Sequence, residues 1–333
     1  MADEPAASLR PGVDYPRTLA EFHKFFPDEA ACHRYLEQLR WPRGFVCPGC
    51  AAAGPAWRSE RGLLVCPKCR RHVSIIAGTL FEGTRKPLRE WFLAAWAVTS
   101  QKHGASALGM QRVLGLGSYK TAWAWLHKLR RAMVRSGRDR LKGEVEVDEV
   151  FVGGVEKGAG RRHLGNKALV AVAAQVDGDG IGRIRLKRIA NSSAESLRPF
   201  IESAVEPGST VITDGWQAYD HLTKAGYRHR SHTRGPNPAR ASKLLPRVHR
   251  VASLLKRWLL GTHQGAVSRE HLDEYLNEFT FRFNRRTSRA RGLLFYRLLS
   301  QAVQMNPAPT ATLFLHIGRG PEQNRRKGRS HKM

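Results

Sequence analysis

Two pairs of cysteines constrain the fold of this chain more than any other feature of its sequence. Cys47 and Cys50 belong to one CPxC turn, Cys66 and Cys69 belong to a second, and fifteen residues separate the two turns. This spacing is typical of a tetrahedral zinc site, in which each turn presents two thiolates to one ion. A redox role is less favoured because neither pair lies in a βαβ pattern. We therefore predict a zinc ribbon over residues 44–84 that is stabilised largely by its metal.

The charge balance points to a polyanionic partner. The 333 residues include 56 Lys or Arg but only 28 Asp or Glu, so the net charge is +28. A charge of this size repels itself in a compact fold unless a polyanion neutralises it, and nucleic acid is the leading candidate. The N-terminal residues do not resemble a secretory signal, and no apolar stretch is long enough for a membrane helix. These observations predict a cytoplasmic, nucleoid-associated protein without a membrane partner.

Helical patterns flank the cysteine segment. Residues 1–43 are expected to form a helical segment, with one helix starting near Thr18 and another over residues 28–39. Residues 105–114 and 118–133 are predicted to form two helices joined by a glycine-containing turn, as in a helix-turn-helix.

The second helix of that pair carries basic side chains that would contact DNA. The candidates are Lys120, Lys128 and Arg131. An ordinary helical hairpin with a solvated basic face fits the same spacing, so both interpretations of residues 85–140 stay open.

Acidic residues are scarce, which makes their positions informative. Glu144, Glu146 and Asp148 alternate with valines, and a strand would place the three carboxylates on one face. Asp214 ends a second apolar strand that starts at Thr210. Two carboxylates at the ends of neighbouring strands can hold divalent cations. Each aspartate taken alone fits a turn or a helix cap better.

Two further strands are expected between these aspartates. Residues 168–176 and 181–189 alternate as strands and are joined by a hairpin turn. The basic, proline-containing residues 226–246 are predicted to be a loop or flap.

A long basic stretch follows Asp214. Residues 221–269 contain no acidic residue but eleven Lys or Arg. They include the candidate DNA-contacting residues Arg228, Arg230, Arg234, Arg240, Arg250 and Arg257. A helix is predicted over residues 247–260, with Val248, Ala252, Leu255 and Leu259 as its buried stripe. His249 and Lys256 lie two turns apart on another face, so they can point into one site, although a solvated basic helix fits as well.

Five stretches of the chain resemble the IS1595, or ISXO2-like, transposases of bacterial insertion sequences. They occur in the expected order between about residue 18 and residue 300, and they read RWPRGFVCPGC, VEVDEVFVGG, VITDGWQAY, HRVASLLKRWLLGTHQGAVS and HLDEYLNEFTFRFNRR. The resemblance implies an α/β fold with an RNase H-like catalytic core, preceded by the zinc ribbon and the helix-turn-helix-like segment. Asp148 would lie on the first strand of this core and Asp214 at the end of its fourth.

The resemblance also implies DDE-type chemistry. Asp148, Asp214 and His249 would bind Mg²⁺ or Mn²⁺, and Lys256 would contact the DNA near the cut. Water would cut the end of the element, and the freed 3′ hydroxyl would attack target DNA. The partner would be double-stranded DNA, as terminal inverted repeats and as target, bound by a homo-oligomer. The chain would then be a metal-dependent polynucleotidyl transferase.

One position departs from the usual DDE pattern. The common third ligand is glutamate, whereas His249 occupies that position here, set by its spacing from Lys256. Glu270, Glu274 and Glu278 are rival carboxylates further downstream, and we interpret them as the solvated face of a helix. Two alternatives to an active transposase stay open. One is an inactive zinc-ribbon DNA-binding protein or regulator, and the other is a metal-dependent nuclease unrelated to transposition.

The predicted domain organisation follows from these segments. The catalytic domain is expected over residues 141–300, and a basic tail over residues 301–333.

Overall fold

The chain folds into a helical N-terminal part that carries a small sheet, followed by a larger α/β part. The computed structural model describes residues 9–135, 137–153, 167–232, 244–265, 267–307, 309 and 313. Among these residues, no helix has both the length and the apolar composition needed to cross a lipid bilayer.

Two short helices begin at the positions that their capping residues predict. Helix α1 (Leu19–Phe25) starts after Thr18, whose hydroxyl accepts a hydrogen bond from a first-turn backbone N–H at 3.1 Å. Helix α2 (Glu29–Arg40) starts after Asp28, whose carboxylate accepts a first-turn N–H at 2.7 Å. Both caps satisfy backbone donors that a helix leaves without partners.

The cysteine segment contains three very short strands. They are β1 (Trp57–Arg58), β2 (Leu64–Val65) and β3 (His72–Val73), and they form an antiparallel sheet in that order. Six paired residues cannot hold a sheet together in water by themselves, so this ribbon depends on its cysteines and on the helices against which it packs.

Three helices follow the ribbon, and the predicted helix pair with its glycine turn is confirmed. They are α3 (Leu88–Ser100), α4 (Ala107–Leu114) and α5 (Tyr119–Ala132). Gly115 ends α4 with φ 61°, a left-handed conformation that glycine adopts without steric cost. Ser118 caps α5 by accepting a backbone N–H at 3.2 Å.

The α/β part is built on a mixed five-stranded sheet. Its strands are β4 (Glu144–Val152), β5 (Ala168–Asp177), β6 (Gly180–Ile189), β7 (Thr210–Thr213) and β8 (Arg228–Ser231). The order across the sheet is β6-β5-β4-β7-β8, with β5 antiparallel to both neighbours and β7 and β8 parallel to β4. Three antiparallel strands followed by two parallel ones form the RNase H-like sheet that the resemblance implies.

Strand β8 corrects one prediction. Its residues were expected to belong to a loop, yet Arg228 to Ser231 pair with β7 in parallel. The reason is that β8 is an edge strand with polar, mostly exposed side chains, so it lacks the apolar alternation that marks a strand in sequence. Backbone hydrogen bonds to β7 hold this strand in the sheet, because its side chains bury little surface.

Helices cover both faces of the sheet. Helix α6 (Ala194–Ala204) packs on one face, together with Val145 and Val147 of β4. Helices α7 (Pro246–His263) and α8 (Leu272–Phe283) pack on the other face. The predicted apolar stripe of α7 is confirmed, since Val248, Ala252, Leu255 and Leu259 are all buried.

The last described helix, α9 (Arg291–Ala302), returns to the N-terminal part. Its apolar side chains share one core cluster with α1 to α5 and the ribbon rather than with the five-stranded sheet. A Cβ at Gly292 would lie 1.7 Å from the Pro16 carbonyl oxygen, so only glycine allows the N-terminal segment to approach this helix. The N-terminal core therefore contains residues from both halves of the sequence.

Candidate metal centres and nucleic-acid interface

The four cysteines meet at one point, as their spacing predicts. The Sγ atoms of Cys47 and Cys69 are 3.6 Å apart, those of Cys50 and Cys66 are 3.7 Å apart, and all four lie within 4.8 Å of one another. A tetrahedral ion with Zn–S distances of ~2.3 Å places its sulfurs ~3.8 Å apart. The donor set and the spacing therefore both fit zinc.

Two equivalent turns hold these thiols. In the first turn the backbone N–H of Ala51 donates to the backbone carbonyl oxygen of Cys47, and in the second that of Arg70 donates to the backbone carbonyl oxygen of Cys66. Ala51 and Arg70 both have left-handed φ angles, 55° and 58°, so each CPxC turn closes with the same geometry. Burial opposes ionisation of Cys47, but the backbone N–H groups of Cys50 and Gly49 lower its pKa to about 6, which favours the thiolate that a metal needs.

The two aspartates come to neighbouring positions on adjacent strands. Glu146 of β4 lies opposite Ile212 of β7 in parallel register, and each aspartate follows two residues later. A step of two residues keeps a side chain on the same face, and neighbouring strands are ~4.8 Å apart. Asp148 and Asp214 therefore lie side by side on the face that α7 covers, with Asp148 only 5% exposed.

A third carboxylate stands near this pair. The Tyr219 hydroxyl donates a 2.5 Å hydrogen bond to Glu149, which points to the opposite face from Asp148. Burial raises the pKa of Glu149 to about 7; the tyrosine opposes the shift, and Asp148 and Asp214 add to it. Both residues lie within the stretches that carry the resemblance, but no spacing in the sequence predicts that they pair.

A glutamate from β4 holds the start of α7. Glu146 is 2% exposed, and its carboxylate accepts the backbone N–H groups of Arg247 and Val248 at 2.8 and 3.0 Å. It also accepts a hydrogen bond from the Arg247 guanidinium at 3.0 Å. No α7 side chain caps this end of the helix, so a carboxylate about one hundred residues away does so.

This anchor sets the position of His249 and Lys256. His249 is half-buried in the first turn of α7, and Lys256 is exposed two turns later. Within the described ranges, two sets of at least three candidate ligands have all their ligand atoms within 4.8 Å of one another. The predicted set of Asp148, Asp214 and His249 is not one of them.

The second such set lies between the two parts of the molecule. It comprises His127 of α5 with His271 and Glu274 at the start of α8. Burial, followed by the charge of Arg130, lowers the pKa of His127 to about 2. The Glu274 carboxylate accepts a 3.3 Å hydrogen bond from Arg131. The cluster combines side chains of α5 and of the start of α8, and Arg130 and Arg131 of α5 lie beside it. It therefore belongs to the contact between these two helices.

That contact corrects the interpretation of two glutamates. Glu274 and Glu278 were expected on a solvated face, but Glu274 is half-buried and paired with Arg131. Glu278 is fully buried and its carboxylate lies 2.8 Å from the Arg130 guanidinium. The polar side of α8 faces α5 rather than water. Glu270 is exposed, as predicted.

The candidate DNA-contacting residues differ in exposure. On α5, Lys120 is exposed, Lys128 is buried with the pKa of its ammonium lowered by desolvation, and Arg131 is half-buried beside Glu274. Four others are exposed on β8 and α7, namely Arg228, Arg230, Arg250 and Arg257. Arg230 lies 2.9 Å from Glu144. Arg234 and Arg240 lie outside the described residues.

The ribbon, the helical segment and the RNase H-like sheet follow one another in the order that the resemblance implies. Residues 140–284 match the family model of the ISXO2-like transposase domain, and residues 27–72 match that of the transposase zinc-ribbon domain. These matches confirm the resemblance to the IS1595 transposases, since one falls on the α/β part and the other on the segment that contains the ribbon cysteines.

Two known proteins show more distant likenesses. A protein of Halobacterium salinarum, named as an uncharacterized protein in transposable element ISH50, is 28% identical over 277 residues, covering 78% of this chain and 92% of its own. A chain from the structure of a simian T-cell lymphotropic virus intasome in complex with PP2A regulatory subunit B56 gamma aligns at 16% identity with a TM-score of 0.28. That alignment covers 55% of this chain and 66% of the other.

Proposed function

We propose that this protein is an active DDE-type transposase that binds the ends of its insertion sequence and catalyses metal-dependent DNA strand cleavage and strand transfer. The observation that carries the proposal is the position of Asp148, in the middle of β4, beside Asp214, which directly follows the neighbouring β7. The transposase-domain match includes both aspartates and the whole of α7. Terminal repeats and target DNA are the substrates, and we expect several copies of the chain to act together on the nucleoid.

The donor set suits a hard divalent cation. Asp148 and Asp214 offer carboxylate oxygens, which Mg²⁺ and Mn²⁺ both prefer, and His249 offers an imidazole, which favours Mn²⁺. When bound, such a cation neutralises charge on the scissile phosphate and activates the attacking oxygen. Glu146 keeps α7, and with it His249, against the strand that carries Asp148.

The reaction divides into two phosphoryl transfers. In the first, a water oxygen bonds to phosphorus and the bond from phosphorus to the 3′ oxygen breaks, which leaves a 3′ hydroxyl on the element end. In the second, that hydroxyl attacks a target phosphodiester and displaces its 3′ oxygen. Lys256 contacts the DNA next to the cut, and the exposed arginines of β8 and α7 bind the backbone on either side.

The ribbon has a separate role in this proposal. Four thiolates complete the shell of a zinc ion and leave no open position for substrate, so the zinc is structural. The ribbon and the helical segment then bind the terminal repeats, while the RNase H-like part performs the chemistry.

Asparagine substitutions test the proposal directly. Asp148→Asn and Asp214→Asn keep the side-chain shape but each removes a negative ligand. Strand cleavage of an element-end duplex in Mg²⁺ or Mn²⁺ should fall at least about a hundredfold, because the metal supplies several kcal/mol of transition-state stabilisation. Affinity for the same duplex should stay within about twofold. Asp220→Asn is the matched control, since Asp220 is exposed and only six residues from Asp214.

The outcomes separate the competing functions. Near-normal cleavage by the Asp214→Asn protein would falsify the paired-aspartate site. A parent protein that binds element ends but cuts nothing is a DNA-binding regulator. A parent protein that cuts without joining ends to target DNA is a nuclease.

A further inference from the structure

Six arginines line one cavity at the junction between the two parts of the molecule. The cavity measures about 260 Å³. Its arginines come from the segment between α5 and β4, from β6, from the turn between α8 and α9, and from α9, and they are Arg135, Arg138, Arg183, Arg185, Arg285 and Arg297. None of them belongs to the paired-aspartate site, to the ribbon or to the basic stretch after Asp214.

One carboxylate faces these six cations. Asp139 also lines the cavity, and its carboxylate lies 3.5 Å from the Arg135 guanidinium and 3.8 Å from that of Arg183. Its single charge is therefore shared between two arginines, so one carboxylate stands against six guanidinium groups among the described residues that line the cavity. Asp139 is also largely exposed to solvent, which weakens its effect on the groups further in.

The most deeply buried arginine of the cavity has a lowered pKa. Arg185 is 5% exposed, and its guanidinium donates to the backbone carbonyl oxygens of Ile184 and Asp139 at 2.9 and 2.5 Å. Burial lowers its pKa to about 10, and the neighbouring Arg138 and Arg183 add to the shift. Neutral carbonyls orient this guanidinium but do not cancel its charge.

Two of the arginines keep their donors available. In the part of the chain that the structure describes, neither Arg138 nor Arg297 donates a guanidinium hydrogen bond to another residue. A guanidinium has five N–H donors in a planar fork that matches the oxygens of a phosphate. The lining of the cavity thus combines an excess of arginine over carboxylate with two guanidinium groups whose donors have the right geometry.

The cavity and the aspartates lie along the same five-stranded sheet. Through the register of β4, β5 and β6, Asp148 is level with Leu186, so the adjacent Arg185 points to the opposite face of the sheet from Asp148. Two strand spacings of ~4.8 Å, or ~10 Å in all, separate the backbones of β4 and β6. Because β6 is an edge strand, a duplex at the aspartates would reach the cavity around that edge.

We propose that this arginine cavity binds a backbone phosphate of the double-stranded DNA on which the protein acts. The inference rests on the proposed function for the identity of the polyanion. Phosphate contacts fix the position of a duplex without reading its sequence. The cavity would therefore hold the DNA in register with Asp148 and Asp214, whatever the sequence at that point.

The test replaces Arg138 and Arg297, the two arginines of the cavity whose guanidinium groups donate no hydrogen bond to another described residue. Binding of the Arg138→Gln/Arg297→Gln protein to an element-end duplex and to an unrelated duplex is measured by fluorescence anisotropy over a range of salt concentrations, without divalent metal. One lost phosphate contact should make the plot of log affinity against log salt shallower by about one, and weaken binding about eightfold at 0.1 M salt. Both duplexes should be affected equally.

Matched variants control for net charge and for folding. Arg10→Gln/Arg198→Gln removes the same charge from exposed positions that already pair with carboxylates, and it should leave the slope unchanged. Arg138→Lys/Arg297→Lys keeps the charge and should retain the parental slope. The melting temperature of the glutamine variant should not fall, because the substitutions relieve repulsion.

Several results would overturn the proposal. They are an unchanged slope, a loss confined to one duplex sequence, or a larger loss on duplex RNA than on DNA. Inorganic phosphate that raises the melting temperature of the parent but not of the variant, with equal DNA affinities, would make the cavity a site for free phosphate instead. If the parent cleaves DNA while the slopes agree, the cavity proposal fails and the proposed function stands. If the slopes differ but the parent never cleaves DNA, the cavity proposal stands and the proposed function fails.

Discussion

At the scale of single residues, three carboxylates of β4 have different surroundings although they lie within four positions. Glu146 is occupied by the N-terminus of α7. Asp148 lies on the same face of β4 as Glu146, beside the C-terminal end of the neighbouring β7. Glu149 points the other way and accepts the Tyr219 hydroxyl, with burial raising its pKa to about 7. The alternation of a strand thus separates an anchoring group, a candidate metal ligand and a carboxyl whose pKa is raised by burial.

The role of His249 is the prediction that belongs to this scale. His249→Ala should strongly reduce cleavage at unchanged DNA affinity and melting temperature, because the histidine is only half-buried and supplies no core packing. His249→Glu should keep part of the activity, since it restores the usual third ligand, and it should shift the metal preference from Mn²⁺ toward Mg²⁺. Cleavage rates in the two metals measure both effects.

The downstream glutamates are the controls for this prediction. Glu270→Ala should cleave like the parent, because Glu270 is exposed. Glu274→Ala should affect stability more than cleavage, because Glu274 pairs with Arg131. If His249→Ala cleaves normally while one of these variants is inactive, that glutamate is the third ligand.

At the scale of elements, two helices are capped by carboxylates from elsewhere in the chain. The Glu29 carboxylate of α2 accepts the backbone N–H groups of Leu88 and Arg89, at 2.6 and 3.1 Å, at the start of α3. Glu146 acts in the same way on α7. Both helices have proline near their first position, which supplies no N–H of its own. These contacts fix where each helix begins in space as well as in sequence.

Removing the charge of Glu146 should therefore displace α7. Glu146→Gln should lower the free energy of unfolding by about 1–2 kcal/mol, the range for a lost helix cap. Cleavage by the folded protein should fall by more than tenfold, and the Mn²⁺ concentration for half-maximal activity should rise. Glu144→Gln is the control, since Glu144 lies on the same face of β4 but pairs with Arg230 near the surface. If Glu146→Gln and Glu144→Gln show the same stability and cleavage, Glu146 does not position α7.

The ribbon makes a prediction about metal removal. Purified protein should contain about one zinc per chain by elemental analysis. Chelation, or Cys66→Ser, should unfold the ribbon and weaken binding to element ends, because six residues of strand provide too little structure without the ion. Cys32→Ser provides the comparison, since Cys32 is a buried thiol in α2 outside the cluster and should leave the zinc content unchanged. Zinc-free protein with normal end binding would contradict this account.

At the scale of the whole molecule, the two parts are joined by charge as well as by apolar packing. The Arg130 side chain of α5 is 2% exposed, and its guanidinium also lies 4.0 Å from the centre of the Tyr275 ring. Its partner Glu278 belongs to α8, which packs on the five-stranded sheet. Helix α9 then continues from the sheet back into the N-terminal core. Movement of one part against the other would expose this ion pair.

Breaking that ion pair should be costly. Glu278→Leu alone leaves the Arg130 guanidinium buried without its partner, and the free energy of unfolding in urea should fall by about 3–5 kcal/mol. The double variant Arg130→Met/Glu278→Leu should recover most of this loss. Glu274→Gln, which weakens the partly exposed pair with Arg131, should cost no more than about 1 kcal/mol. A double variant as unstable as the single one would show that the charges themselves are not responsible.

The sequence by itself determined the features that depend on short spacing. The zinc cluster follows from two CPxC turns, the carboxylates of β4 share a face because strands alternate, and the stripe of α7 follows the helical repeat. The turn between β5 and β6 was equally local. Each of these needs only the geometry of one element or one turn, so residue order is sufficient to predict it.

Only the tertiary structure decided which of these elements meet. Strand β8 exists because β7 offers it a backbone edge, although its own side chains carry no strand pattern. Glu278 is buried because α5 packs on the polar side of α8, and six arginines share a cavity because four separate segments converge there. Such contacts join residues up to about 150 positions apart, and no local periodicity of the sequence predicts them. Charge in the sequence indicates a polyanionic partner, but packing determines which charges are buried, which are paired and which are left to bind it.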